Sequence, residues 1–126
     1  MTINVHPVQQ SDWTDWNTLW QGYCDFYKAA VSDSQTELTW RRILDTNHTI
    51  NRIDVGDCYL EDLFVLDSAR GKGVGRALIM AVKEAAKSAG CERLYWNTNV
   101  GNTTARALYD KLTGGEDGHV RYRMVL

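Results

Sequence analysis

Apolar and polar positions change period several times along the chain, and each change marks an element. Ile3 to Val8 alternate and predict a short first strand closed by Pro7. Ser11 or Asp12 then stands where a helix cap is expected, with Asp15 in the first turn. Trp13, Trp16, Trp20, Tyr23 and Tyr27 recur at spacings of three and four, which predicts a helix with one aromatic face. A polar turn from Ser32 to Thr36 leads into a shorter helix over Glu37 to Leu44. Between Asp45 and Asp57 the periodicity is weak, with room for a short strand at Thr49 to Ile53.

The strongest pattern runs from Cys58 to Ala89. Tyr59 to Leu66 is an apolar run broken only by Glu61 and Asp62, and it predicts a buried central strand. A turn at Asp67 and Ser68 precedes Arg70-Gly71-Lys72-Gly73-Val74-Gly75. Val74, Ala77, Leu78, Ala81, Val82, Ala85 and Ala89 then share one helical face, with Lys83, Glu84 and Lys87 opposite. Gly90 suits a left-handed cap. Glu92 to Asn99 alternates as the next strand, and a strand, helix and strand joined in this way place the two strands parallel. Gly101 to Thr104 caps a last helix whose Ala105, Leu108, Tyr109 and Leu112 share a face. After the loop Gly114 to Gly118, His119 to Leu126 alternates as a final strand. The order predicts an α/β fold on a mixed sheet, partly parallel and partly antiparallel.

Composition narrows the classes. At 126 residues the chain predicts a single domain, residues 1–126. Apolar content of 44% and charged content of 24% are those of a globular protein. A net charge of −2, without a basic stripe beyond the glycine loop, argues against a nucleic-acid partner. The 3 cysteines have irregular spacing and suggest neither a disulfide framework nor a metal site. No secretory pattern opens the chain and no apolar run has membrane-spanning length. A reduced, soluble, cytoplasmic protein without membrane partners is therefore expected.

The glycine loop carries the candidate chemistry. Glycines let the backbone bring several N–H groups to one point. The first N–H groups of a helix lack intrahelical partners, and the helix dipole adds positive character there. Arg70, Lys72 and Arg76 add formal charge, so the site suits an anion such as a pyrophosphate. The spacing is not that of a P-loop. Nor is it the dinucleotide fingerprint, because Arg76 stands where the third glycine belongs. What remains is Arg-x-x-Gly-x-Gly, from Arg70, Gly73 and Gly75. A plain strand-to-helix turn is the alternative use of these glycines.

That pattern, within YLEDLFVLDSARGKGVGRALI and with NTTARALYDKL downstream, resembles the GNAT superfamily of acetyl-CoA-dependent N-acetyltransferases. YLEDLFV is closest to the polyamine-type and thialysine-type branch. The resemblance implies acetyl-CoA as cofactor, with N–H groups of Gly71, Lys72, Gly73, Val74, Gly75 and Arg76 taking the pyrophosphate. It also implies that main-chain groups of Leu63, Phe64 and Val65 pair with the pantetheine arm. The cofactor would lie between the strand ending at Leu66 and the strand around Tyr95 to Asn97, with Asn97 and Asn102 among its contacts.

Acetyl transfer from a thioester to an amine needs a deprotonated amine, a stabilised oxyanion and a proton for the departing thiolate. Glu61 and Asp62, placed in a run expected to be buried, are partnered or functional. The resemblance assigns the base to Glu61, with a hydrogen-bonded structural carboxylate as the alternative. It assigns protonation of the thiolate to Tyr109, which a core tyrosine would equally explain. The aromatic face of the first helix reads either as core or as the wall of an acceptor pocket holding an amine by cation–π contact, near Asp12, Asp15 and Asp25.

Asp45 to Asp57 is too short for the strand pair that usual members carry before the YLED strand. A fold reduced in strand number would expose an edge at Tyr59 to Leu66, so a homodimer is expected to cover it. The sequence thus predicts an N-acetyltransferase acting on a small primary amine or a lysine-like side chain. A non-catalytic coenzyme A sensing module and a cofactor-free interaction domain are the competing readings.

Overall fold

Helix α1 (Trp13–Phe26) starts from a 3-10 turn, Gln10–Asp12. The Asp12 carboxylate accepts the Gln9 N–H at 2.8 Å, so it closes the turn before the helix and does not cap the helix itself. Helix α2 (Asp33–Leu44) begins earlier than the apolar period suggests. Ser32 takes the N-cap, accepting the Gln35 N–H at 3.2 Å while Gln35 Oε1 accepts the Ser32 N–H at 3.0 Å. That reciprocal pair satisfies two end groups and recruits the expected turn into the helix.

The computed structural model describes residues 2–45 and 56–126; the strand expected at Thr49 to Ile53 lies outside the described residues. The backbone gathers into two units, Met1–Trp96 and Asn97–Leu126. In the first, strand β1 (Asp57–Tyr59) pairs parallel with β2 (Arg93–Tyr95), in the register Asp57 to Arg93 and Tyr59 to Tyr95. Helix α3 (Val74–Ser88) connects them, so the strand, helix and parallel strand read from the sequence are present. Arg93 clamps the register, its Nε and second guanidinium nitrogen lying 2.7 and 3.0 Å from the two Asp57 oxygens. Gly90 holds a left-handed φ of +84° after α3, as its position suggested.

The central strand is shorter and shifted. Pairing covers Asp57–Tyr59 and one further bond, Leu60 N–H to Tyr95 O at 3.0 Å. Beyond it Glu61 to Leu66 form no ladder, because among the described residues no strand lies alongside to receive their backbone groups. The same reason removes the strands expected at Ile3 to Val8 and His119 to Leu126, and with them the antiparallel part of the sheet, among the described residues. Alternation alone makes no strand without a partner. The final segment leaves Tyr122 92% and Met124 83% exposed.

Two aromatic and aliphatic clusters make the core of the first unit. Trp13, Trp16, Trp20 and Tyr23 stack in series along α1, with successive ring centroids 5.7, 5.5 and 5.5 Å apart, and Tyr27 just past the helix tilts against Tyr23 at 4.8 Å. Trp40 of α2 is buried against Trp13 and Trp16, at 5.4 and 5.0 Å. The tryptophans therefore serve the core reading of that face. Helix α3 buries Ile79 and Ala86, two turns apart, so its inward stripe is rotated from the one drawn through Ala85 and Ala89, both exposed. In the second unit, helix α4 (Thr103–Thr113) turns its half-buried Ala105, Leu108, Tyr109 and Leu112 to one side and ends at Gly114 with φ +87°.

Helices α1 and α2 are also pinned by a polar bond, Trp20 Nε1–H to Thr36 Oγ1 at 3.0 Å, with Thr36 only 4% exposed. Removing one partner strands the other in the core, which costs about 1–3 kcal/mol. Trp20→Phe and Thr36→Val should each lower unfolding free energy in denaturant titrations. The double variant should be less destabilised than the two single losses summed, since neither polar group is then left alone.

Candidate active site

Residues Arg70 to Gly73 turn and deliver the chain into α3. Gly71 and Gly73 hold φ of +72° and +83°, a region that side chains with a Cβ resist. Gly73 sits at the N-cap and offers no side chain to the helix, whose first bond is Ala77 N–H to Gly73 O at 3.0 Å. Among the described residues, no protein acceptor takes the N–H groups from Gly71 to Arg76. A run of unpaired amides at the positive end of a long helix is the arrangement an anion requires. Its donors, and the bare Cα atoms of Gly71 and Gly73, fit a diphosphate.

The basic residues of the loop divide by engagement. Lys72 donates from Nζ to Ser68 O at 2.8 Å, and Arg70 is held by Asp67 at 2.7 Å and by Val65 O at 3.0 Å. Arg76 is exposed and has no partner among the described residues. The preceding segment is open as well. Among the described residues, the N–H groups of Leu63, Phe64 and Val65 donate to no protein acceptor, which leaves them available to an extended ligand.

Glu61 and Asp62 are both exposed, against the expectation that they sit in a buried strand. The segment gains no cover from paired strands, so no carboxylate is forced out of water there. Glu61 has no hydrogen-bond or ionic partner among the described residues. Asp62 accepts the Tyr23 hydroxyl at 2.5 Å. The Tyr23 ring is held between Trp20 and Tyr27 and meets the edge of Phe64 at 6.4 Å. Gly22 permits this approach: a Cβ there would lie 2.9 Å from the Phe64 ring. Burial, then the hydrogen bond and negative charge of Asp62, push the Tyr23 phenol well above its ordinary pKa. The aromatic series thus continues beyond the core and orients a carboxylate next to Glu61. Sequence spacing gave no sign of this pair, since nothing local relates positions 23 and 62.

In the second unit, Asn102 stands at the N-cap of α4, but its side chain donates to Thr98 Oγ1 at 3.2 Å and does not cap the helix. Arg106 fixes the loops on either side, donating to Val100 O at 3.0 Å and pairing with Glu116. Tyr109 is half-buried on the inward stripe of α4, and Asn97 is exposed at the start of this unit.

The Tyr23 shift has a stability consequence. Because the folded phenol holds its proton beyond the unfolded value of about 10, its contribution is complete below that pH and drains as pH rises through the folded value. Wild type should therefore lose more stability than Tyr23→Phe between neutral pH and pH ~11. Denaturant titrations at both pH values measure this; equal losses would contradict the Tyr23–Asp62 linkage.

Comparison with known proteins agrees with this architecture. The chain is 29% identical over 134 aligned positions to a D-amino-acid N-acetyltransferase of Saccharomyces cerevisiae, covering 87% of this chain and 83% of the yeast protein. Among solved structures, the crystal structure of a probable acetyltransferase shares the fold with a TM-score of 0.79, at 16% identity and 98% coverage of both chains. An aminoglycoside N-acetyltransferase in complex with CoA follows at a TM-score of 0.64 and 19% identity, covering 94% of this chain and 96% of its own. The profile of the acetyltransferase (GNAT) family matches residues 8–114, and the chain belongs to that family of acetyl-CoA-dependent acyltransferases.

Proposed function

We propose that this chain transfers the acetyl group of acetyl-CoA to a primary amine, on a small molecule or a lysine-like side chain, by direct attack in a ternary complex. The observation that carries the reading is the run of unpaired amides from Gly71 to Arg76 at the start of α3, with Arg76 exposed beside them. Those amides take the pyrophosphate, with Lys72 and Arg76 adding charge. Main-chain groups of Leu63, Phe64 and Val65 line the pantetheine arm, and Asn97 and Asn102 complete the contacts to the cofactor. The bound cofactor supplies an activated acetyl thioester.

Glu61 takes the proton from the acceptor ammonium, directly or through a water. Its exposure and lack of a protein partner among the described residues suit a group that must exchange protons with substrate. Tyr109 returns a proton to the departing thiolate. Acceptors of the polyamine and thialysine type fall within this reading, and so do D-amino acids, the acceptors named for the yeast relative. We infer also a family fold reduced in strand number, a homodimer covering the open edge at Tyr59 to Leu66, and a cytoplasmic setting. Among the described residues, no helix is long and apolar enough to cross a membrane.

Thiol release from acetyl-CoA, followed across polyamines, D- and L-amino acids, aminoglycosides and lysine peptides, tests the reading. Turnover with at least one amine is expected. Glu61→Gln and Tyr109→Phe should each reduce kcat by about 10²-fold while acetyl-CoA affinity is kept. Binding of acetyl-CoA without turnover on any acceptor would favour a sensing role, and no binding at all would overturn the proposal.

A further inference from the structure

Arg70 begins the glycine loop, yet its guanidinium points away from an anion-binding task. Nε donates to Val65 O at 3.0 Å, and a terminal nitrogen lies 2.7 Å from Asp67 Oδ1. The guanidinium carbon stands 5.7 Å from the Phe26 ring centre and 5.9 Å from that of Phe64. A planar cation with directional donors on its edge and aromatic rings within cation–π distance has its interactions already committed. The surrounding backbone is closed on itself too, by Ala69 N–H to Leu66 O at 2.8 Å and Lys72 Nζ to Ser68 O at 2.8 Å.

We propose that Arg70 is a positioning residue for cofactor binding, a clamp that fixes the open Leu63–Val65 backbone against the glycine loop. The proposal rests on the acetyl-CoA reading above and deepens it. Val65 carries one of the open amides, and its carbonyl is held by the residue from which the pyrophosphate loop departs. Two stretches of chain that must bind different parts of one ligand are thereby kept in fixed relation. Phe26 extends the clamp to the end of α1, whose ring is 51% exposed even so. Arg70 thus acts through the groups it holds, and the loop's charge toward a diphosphate comes from Lys72 and Arg76, the latter without a partner among the described residues.

A clamp and a charge contact make opposite predictions. Lysine keeps the positive charge but has neither the fork nor the plane of arginine. Calorimetric titration of variants of the whole 126-residue chain with coenzyme A should therefore find Arg70→Lys and Arg70→Gln weakened alike, by about tenfold in Kd. Asp67→Asn, which removes the far jaw, should weaken binding in the same direction by a smaller factor. Misfolding would lower the binding stoichiometry, whereas the clamp changes the affinity of the folded fraction. Near-normal affinity in Arg70→Lys with loss only in Arg70→Gln would overturn the proposal. So would tighter binding in Asp67→Asn, which would mean that Asp67 competes with the ligand for the guanidinium. Absence of coenzyme A binding by the wild type would refute the acetyl-CoA reading itself, a result distinct from both.

Discussion

Unsatisfied backbone donors are the constraint from which the rest of this protein can be understood. A helix must leave its first amides without internal partners, and most chains cap them with a side chain. Here the N-cap is Gly73 in a left-handed conformation, and the preceding turn also lacks acceptors for the amides of Gly71 and Lys72 among the described residues. The chain forgoes a side-chain cap, which with glycine in that place costs only about a few tenths of a kcal/mol. It retains instead a cluster of donors whose natural complement is an anion. The open amides of Leu63 to Val65 repeat the theme a few residues upstream, and Arg70 ties the two stretches together.

Much of the remaining structure holds this region in place. The parallel pairing of β1 and β2, clamped by Asp57 and Arg93, fixes where the open segment departs. Ile79 and Ala86 seat α3, which points its N-terminus at the loop's exit. On the other side, the stacked rings of α1 end at Tyr23, whose hydroxyl orients Asp62 beside Glu61. Open backbone donors and two exposed carboxylates thus lie on one short stretch, Glu61 to Arg76. Bringing an anionic acyl carrier and a cationic amine together is what transfer between them requires.

The part of this that the sequence made legible is the part with local causes. Glycine at positions requiring positive φ, helical spacing in α3 and α4, and the Gly90 cap all depend on near neighbours. The strands were less legible, because a ladder requires a partner that alternation does not supply: His119 to Leu126 alternates well and remains unpaired among the described residues. Burial of Glu61 was inferred from the apolar run around it, and it failed for the same reason. The capping signal Ser32-x-x-Gln35 was present in the sequence and marks the true start of α2. By contrast, the Tyr23–Asp62 bond and the engagement of Arg70 with Phe26 depend on tertiary approach through Gly22 and α1, which no spacing rule carries.

The central claim concerns particular amides, and amide resonances report on them directly. In a titration of isotopically labelled protein with coenzyme A, followed by proton–nitrogen correlation spectra, the largest shifts should fall on Gly71 to Arg76, with a second set on Leu63 to Val65. Saturable binding that leaves the Gly71 to Arg76 amides unmoved would contradict the account.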